Sequence, residues 1–223
     1  LDALADALGP SRLARVLVTH GHSDHVSGSQ AIAERWPRAQ FLKMPWPARD
    51  DRHPVTWQGL EDGDVVTAGD VSLRAVHTPG HSPDHLCFFH EDTRTLFCAD
   101  LLVEGGTVVI PASHGGSLAE YLSSLERVLS LEPSRVLPAH GPEIDDPGGL
   151  IRYYFDHRQR REDEIMTALG DGCRTRKALV DRIYAGLRED LKGPAAESVL
   201  AHLIKLEDEG RARRVDGSEW ELA

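Results

Sequence analysis

The sequence has few cysteines and no long apolar run. Its three cysteines, Cys87, Cys98 and Cys173, are scattered and odd in number, which argues against a disulfide framework and for a reducing compartment. Cys87 and Cys98 lie in apolar runs, where we expect buried thiols. No stretch of about 18 apolar residues is present, so no membrane partner is predicted. We therefore expect a cytoplasmic protein, with any N-terminal targeting segment lying outside this chain.

Basic residues are also fewer than acidic ones. The 223 residues contain 25 Lys and Arg against 36 Asp and Glu, a formal net charge of −11. Non-specific binding to nucleic acid depends on basic side chains that displace counterions from phosphates, so this composition disfavours it. Bound divalent cations would reverse the sign locally, so a nucleic-acid substrate stays open.

Apolar periodicity predicts alternating strands and helices in the first two thirds of the chain. Residues 45–60 are predicted to be a loop, and Pro10 is expected to end the first helix. The predicted strands are 15–19, 39–44, 64–69, 71–78, 85–91, 94–100 and 134–141. The predicted helices are 1–9, 28–36 and 117–131, the last with Leu118, Leu122, Leu125 and Leu129 on one face. Such alternation predicts an α/β (α+β) fold in which helices cover sheets.

The tail has a different pattern, with three helices followed by a hairpin on Asp216-Gly217. This order predicts a winged-helix domain at 149–223 after a catalytic domain at 1–148, with Thr175 capping the second helix. The third helix offers Glu197, His202, Lys205, Glu207 and Asp208 at its polar positions. Because base-reading helices present Arg, Asn or Gln, we expect packing against the catalytic domain or a homodimer contact. A basic patch on the preceding helix, expected to be solvated, consists of Arg158, Arg160 and Arg161.

Four metal-binding side chains crowd the segment "THGHSDH", which follows the first predicted strand: His20, His22, Asp24 and His25. In an extended chain, residues two apart project the same way, so His20 and His22 can share one ion. Asp24 and His25 lie beyond a bend and face a second ion more easily. Catalytic zinc sites use about three protein ligands plus water, so further ligands are predicted downstream.

Three candidate ligands lie where other predicted strands end: His81, Asp100 and His140. Together the residues predict two sites, in which His81 completes the first, His140 completes the second and Asp100 bridges them. Two cations about 4 Å apart can share and activate a hydroxide. Asp24 and Asp100 are the predicted catalytic residues, because they can handle the proton of that hydroxide. The donors suit Zn²⁺ best, and Fe or Mn would also fit.

The ordered motifs "THGHSDH", "TPGHS", "FCAD" and "PAHGP" resemble the signature of the metallo-beta-lactamase superfamily. With its winged-helix tail, the whole chain resembles the beta-lactamase-like protein 2 group of hydrolases. The resemblance, which covers roughly residues 10–145, implies an αββα sandwich with a dinuclear site at the edge between its sheets. Relatives have several strands before the first histidine motif, whereas only 19 residues precede His20 here. The domain is therefore expected to be N-terminally incomplete in this chain.

The predicted function is metal-dependent hydrolysis of a thioester or ester small molecule, or of a single-stranded RNA phosphodiester. Only 39 residues separate Asp100 from His140, too few for the insertion domain of the RNA-processing nucleases that the family includes. The alternative is a regulatory winged-helix nucleic-acid-binding protein with a vestigial metallo-hydrolase domain.

Three more polar residues near the motifs have two interpretations each. His85 could orient a ligand or be a buried, hydrogen-bonded histidine. Asp84 could orient a ligand or cap a turn. His114, in "PASHGGS", could contact substrate or be an ordinary surface residue.

Overall fold

Two β-sheets form the centre of the first part of the chain, in a computed structural model that describes residues 1–9 and 12–223. The strands are β1 (Arg15–Leu17), β2 (Gln40–Lys43), β3 (Trp57–Gly59), β4 (Val65–Ala68), β5 (Val71–His77), β6 (Leu86–His90), β7 (Thr95–Ala99) and β8 (Arg135–Pro138). The first sheet is parallel, in the order β1-β2-β3. The second has the order β4-β5-β6-β7-β8 and is antiparallel except for the pair β7 and β8.

Helices connect and cover these strands. They are α1 (Asp2–Leu8), α2 (Ser23–Val26), α3 (Ser29–Arg35), α4 (Pro47–Asp50) and α5 (Leu118–Ser130). The tail contains α6 (Pro147–Gly170), α7 (Arg176–Ile183), α8 (Lys192–Asp208) and the antiparallel hairpin of β9 (Ala212–Asp216) and β10 (Glu219–Leu222). Mixed sheets with helices and a winged-helix tail confirm the predicted fold class. Pro10 lies outside the described residues, so the predicted end of the first helix is not addressed.

The prediction of a loop at residues 45–60 is wrong. This stretch contains α4 and β3, and β3 extends the first sheet by pairing with β2. Trp57 lies opposite Phe41, and Leu60 just beyond the strand is buried. A three-residue strand is too short to show an alternating pattern, and its backbone partners come from a distant strand.

The five-stranded sheet is buried on both faces, so its central strands are apolar at successive positions. Leu86 and Phe88 of β6 face a core shared with Leu42 of the first sheet. Cys87 and Phe89, which alternate with them, face a second core that includes residues of α5 and α6. Both Cys87 and Cys98 are buried free thiols, as predicted. The layers therefore place helices against the outer face of the second sheet.

The buried face of α5 differs from the predicted leucine stripe. Leu118 and Leu125 are buried as predicted, but Tyr121 and Val128 are buried with them while Leu122 and Leu129 are only partly covered. Tyr121 enters this core because its hydroxyl donates to the carbonyl of Leu101 at 2.6 Å. Its backbone also forms one wall of the turn before His81.

The tail folds as predicted and shares one helix with the catalytic domain. Thr175 caps α7 by accepting a hydrogen bond from the amide of Ala178 at 3.1 Å. Helix α6 contributes Ile151 to the core beneath α5 and Ile165 to the winged-helix core. The boundary at 148/149 stays a prediction, because α6 begins beside it and runs unbroken between the two cores. None of the helices within 1–9 and 12–223 is long and apolar enough to cross a membrane.

Gly80→Ala is expected to destabilise the protein by about 3 kcal/mol or more. Gly80 has φ +128°, and an added Cβ would lie 2.3 Å from the Cα and backbone N of Tyr121. Chemical denaturation monitored by circular dichroism measures the loss. The matched control is Gly63→Ala, which has φ +87° but open space around it, so it should lose only about 1 kcal/mol. Equal losses in the two variants would contradict the packing argument.

Candidate metal centre

The segment "THGHSDH" changes direction in its middle, as the sequence predicts. His22 is extended, with φ −74° and ψ 151°, and α2 begins at the next residue. The backbone carbonyl of Thr19 accepts a hydrogen bond from the amide of Leu86 at 2.8 Å. This bond ties the segment to the start of β6. Because α2 begins just after His22, His20 lies in the extended part before the bend and His25 lies in the helix after it.

The first group of donors consists of His20, His22 and His81, whose donor atoms lie within 4.8 Å of one another. The His20 Nε2 to His22 Nδ1 distance is 3.1 Å, and the His22 Nδ1 to His81 Nε2 distance is 2.8 Å. His81 Nδ1 must carry a proton, because it donates to the carbonyl of Val109 at 2.9 Å. Its Nε2 therefore presents a lone pair toward the other two rings, which is the tautomer that a metal ligand needs.

The second group consists of Asp24, His25, Asp100 and His140, again with donor atoms within 4.8 Å. His25 Nε2 lies 3.5 Å from Asp24 Oδ2 and 3.4 Å from Asp100 Oδ1, and His140 Nε2 lies 3.4 Å from Asp24 Oδ2. These separations exceed ordinary hydrogen-bond lengths. Among the described residues, the buried atoms His25 Nε2 and Asp100 Oδ1 have no hydrogen-bond partner. Polar atoms thus converge without satisfying one another, and such a donor set fits a cation.

Asp100 lies between the two groups and presents one oxygen to each. Its Oδ2 is 3.4 Å from His81 Nε2, while its Oδ1 is 3.4 Å from His25 Nε2. A register shift in β7 and a left-handed Ala99, with φ +45°, turn the chain just before it. The structure thus brings together all seven residues proposed from the sequence. Their roles as metal ligands stay predictions.

His85 combines both of its sequence-based interpretations. It is fully buried, and its Nε2 accepts a hydrogen bond from the backbone amide of Asp100 at 3.2 Å. Its Nδ1 therefore carries the proton and donates to Thr78 Oγ1 at 2.8 Å. Burial lowers the pKa of His85 to about 3, so the ring stays neutral and holds the backbone of Asp100 in place.

Burial and neighbouring charges set different charge states in the two groups at neutral pH. Burial, followed by the charge of His81, lowers the pKa of His22 to about 4. Burial is also the largest cause that lowers the pKa of His20. Asp100 behaves differently, because burial would raise the pKa of its carboxyl but His25 outweighs that and lowers it. The first group therefore offers neutral imidazoles and the second offers an ionised carboxylate.

A buried ion pair beside the site was missed by the sequence reasoning. Lys43 is only 1% exposed, and its Nζ lies 2.6 Å from Asp50 Oδ1 and 3.1 Å from Asp84 Oδ2. Asp84 packs closely on Gly21, where a Cβ would approach its Oδ2 to 3.3 Å. This network holds the stretch from β2 to α4 against "THGHSDH". The only sequence signal was a lone lysine in the apolar run "FLKM".

His114 belongs to neither group of donors among the described residues. Its Nδ1 lies 2.9 Å from Ser113 Oγ, and Ser113 in turn donates to Glu197 Oε2 of α8 at 2.8 Å. The structure therefore connects His114 to the interface with the winged helix.

Comparison with known proteins gives the same family as the motifs. Residues 2–140 match the family described as the metallo-beta-lactamase superfamily, and residues 175–220 match the beta-lactamase associated winged helix domain. The chain belongs to the metallo-beta-lactamase superfamily. The predicted resemblance is confirmed, and so is the predicted enzyme class, a metallo-hydrolase of this superfamily.

Two relatives and one solved structure show which members of the superfamily this chain is similar to. The chain is 34% identical to Beta-lactamase-like protein 2 homolog of Drosophila melanogaster over 89% of its own length and 70% of that protein. It is 30% identical to an atrochrysone carboxyl ACP thioesterase of Aspergillus fumigatus over 81% of its length, and it spans 58% of that relative. Among solved structures, a metallo-beta-lactamase family protein from Thermus thermophilus has a TM-score of 0.82 at 21% identity, covering 99% of this chain and 84% of that one. This last likeness shows the fold.

Loading with zinc and removal of free metal should leave about two ions per chain, as measured by inductively coupled plasma mass spectrometry. His22→Ala and His140→Ala remove one donor from different groups, so each should lower the content to about one ion or fewer. His90→Ala is the matched control, because His90 lies at the opposite end of β6. Retention of two ions by both site variants would contradict the two-group arrangement.

The metal-free protein should lose stability as the pH falls from 6.5 toward 3. In this window the unfolded chain binds a proton at His85 that the folded chain, with its lowered pKa of about 3, does not bind. The free energy of unfolding therefore rises with pH, with a limiting slope of about 1.4 kcal/mol per pH unit from this one residue. Denaturation at several pH values measures the slope, which His85→Gln should reduce. An unchanged slope in that variant would contradict the buried neutral ring.

Proposed function

We propose that this chain hydrolyses a small-molecule thioester or a related ester, using two divalent cations held by the seven clustered residues. The observation that carries the proposal is the pair of donor groups that face each other across Asp100, with one carboxylate oxygen toward each group. In the second group, His25 Nε2 and Asp100 Oδ1 have no hydrogen-bond partner among the described residues. Together the two groups offer five imidazole nitrogens and two carboxylates.

The proposed assignment gives each cation its own set of ligands. His20, His22 and His81 would hold the first, Asp24, His25 and His140 the second, and Asp100 both. Zn²⁺ is the proposed ion because imidazole nitrogen and carboxylate oxygen are its usual partners, while iron or manganese would accept the same donors. When bound, the two cations would make water acidic enough to ionise near neutral pH and would polarise the scissile carbonyl.

The protein's own residues orient the reacting groups and move the proton. Asp100 is held from its backbone side by His85, so its carboxylate keeps a fixed direction. Asp24 is the more exposed carboxylate, with 58% of its side chain accessible against 13% for Asp100. We assign Asp24 the role of accepting a proton at a carboxylate oxygen and passing it to solvent. Asp100 then stays ionised between the two groups.

Similarity and charge support a thioester over RNA. A relative that shares 30% of its residues with this chain is named a thioesterase. The net charge of −11 works against binding an extended polyanion.

A cytoplasmic location is part of the proposal and is supported by three free cysteines.

The packing of α8 also disfavours the alternative function, a regulator that binds DNA through its winged helix. Val199 and Leu203 of α8 lie in the winged-helix core, whereas Ala201 lies in the core beneath α5. His202, predicted at a polar position, is fully buried, because α8 packs between the two cores. The helix that would enter a DNA groove is thus covered on more than one side.

The test is a substrate comparison with the zinc-loaded full chain. A short-chain acyl N-acetylcysteamine thioester, its oxygen ester, bis(p-nitrophenyl) phosphate and a single-stranded RNA oligonucleotide are assayed at equal concentration. We expect the thioester to be cleaved with the highest kcat/KM. Asp100→Asn should lower this value by about 100-fold or more, because one oxygen of the shared carboxylate is lost.

The matched control for that variant is Asp92→Asn, an exposed aspartate in the turn after β6, which should retain full activity. Cleavage of RNA in preference to the thioester would replace the proposed substrate class. Full thioesterase activity in Asp100→Asn would contradict the proposed site.

A further inference from the structure

A cavity of about 170 Å³ lies between the catalytic domain and the tail. Its walls come from residues 107–109, from α6 and from the segment between Tyr184 and Ser198. None of the seven proposed metal ligands lines it. The cavity is therefore separate from the candidate metal centre.

Arg158 of α6 lines this cavity as a buried cation. It is only 3% exposed, so the sequence-based expectation of a solvated basic patch is wrong for this residue. Its Nη2 donates to the carbonyl of Val108 at 2.5 Å, and its guanidinium lies 5.4 Å from the ring centre of Tyr121. Within residues 1–9 and 12–223, no carboxylate oxygen lies within 4.0 Å of its nitrogens. The charge of Arg158 is therefore buried without a carboxylate partner among the described residues.

The neighbouring side chains add buried polar atoms without partners to the lining of the cavity. In the part of the chain that the structure describes, His157 Nδ1, Arg158 Nε and Arg161 Nε are buried without a hydrogen-bond partner. All three residues line the cavity, and no aspartate or glutamate does. Arg161 has its own counter-charge, since its Nη1 lies 2.5 Å from Glu164 Oε2. The uncompensated charge therefore belongs to Arg158.

Part of the cavity lining is apolar. Leu187, Leu191 and Pro194 line it, and Leu191 is 43% exposed. A buried cation beside aliphatic side chains suits an organic acid, because its carboxylate can pair with the guanidinium while its apolar chain contacts the leucines.

We propose that this cavity binds a carboxylate carried on a short apolar chain, with the carboxylate paired to Arg158 and the chain against Leu187 and Leu191. A bidentate pair with the guanidinium would supply the missing counter-charge. The bound acid would also contact the support of the metal centre. Val108, whose carbonyl Arg158 holds, precedes Val109, whose carbonyl holds His81. The proposal does not depend on the substrate of the hydrolase.

The experiment is isothermal titration calorimetry of the zinc-loaded full chain with sodium hexanoate. Hexanamide is the uncharged control ligand, and inorganic phosphate is the control anion. We expect one hexanoate per chain, with hexanamide and phosphate each binding at least tenfold more weakly. Arg158→Gln should weaken hexanoate binding at least tenfold. The exposed Arg160 on the same helix gives the matched control Arg160→Gln, which should not change it.

Ser198→Asp provides a second variant that keeps Arg158. Ser198 lines the cavity, so the new carboxylate should compete with the ligand, weaken hexanoate binding at least tenfold and raise the melting temperature of the free protein. Three results would overturn the proposal: no hexanoate binding, equal binding of phosphate, or binding that survives in both Arg158→Gln and Ser198→Asp. Loss of binding in Asp100→Asn with retention in Arg158→Gln would place the acid at the metal centre, which also overturns it.

Discussion

The hydrogen bond from the amide of Leu86 to the carbonyl of Thr19, 2.8 Å long, joins the two sheets at the edge where the candidate site lies. It sets the end of β1 beside the start of β6, so "THGHSDH" meets the turn that carries His81. In the second sheet, β7 and β8 are parallel, and Asp100 and His140 therefore follow their strands at the same edge. Antiparallel β5 ends there as well. The contact between the sheets thus brings the first motif to an edge where three other chain segments already meet.

The burial of the donor atoms determines how this edge of the sheets can bind a cation. Moving polar atoms away from water without giving them partners costs about 1–3 kcal/mol for each group, and His25 Nε2 and Asp100 Oδ1 are in that position among the described residues. A cation bound between the donors would remove this cost, so the free energy of metal binding also becomes free energy of folding. The same burial keeps His22 neutral, with its pKa lowered to about 4. The three histidines of the first group are thereby already in the neutral state that a divalent cation requires.

Local patterns in the sequence predict much of this arrangement, because each of the four motifs is short and contiguous. The bend after His22 and the approach of His81, Asp100 and His140 follow from residue spacing and from where the strands end. The remainder depends on distant contacts. Strand β3 exists because β2 supplies its partners, Lys43 is buried because Asp84 reaches it from the turn between β5 and β6, and Arg158 is covered by a loop 50 residues away. A helical pattern read by itself cannot show that a second domain packs over one of its arginines.

We propose that one edge of the sheets holds two cations that share Asp100. The most direct test is an anomalous difference map from crystals of the zinc-loaded chain, recorded at the zinc absorption edge. We expect two peaks about 4 Å apart, one beside His20, His22 and His81 and the other beside His25 and His140, with Asp100 in contact with both. A single peak, or two peaks of which neither touches Asp100, would contradict it.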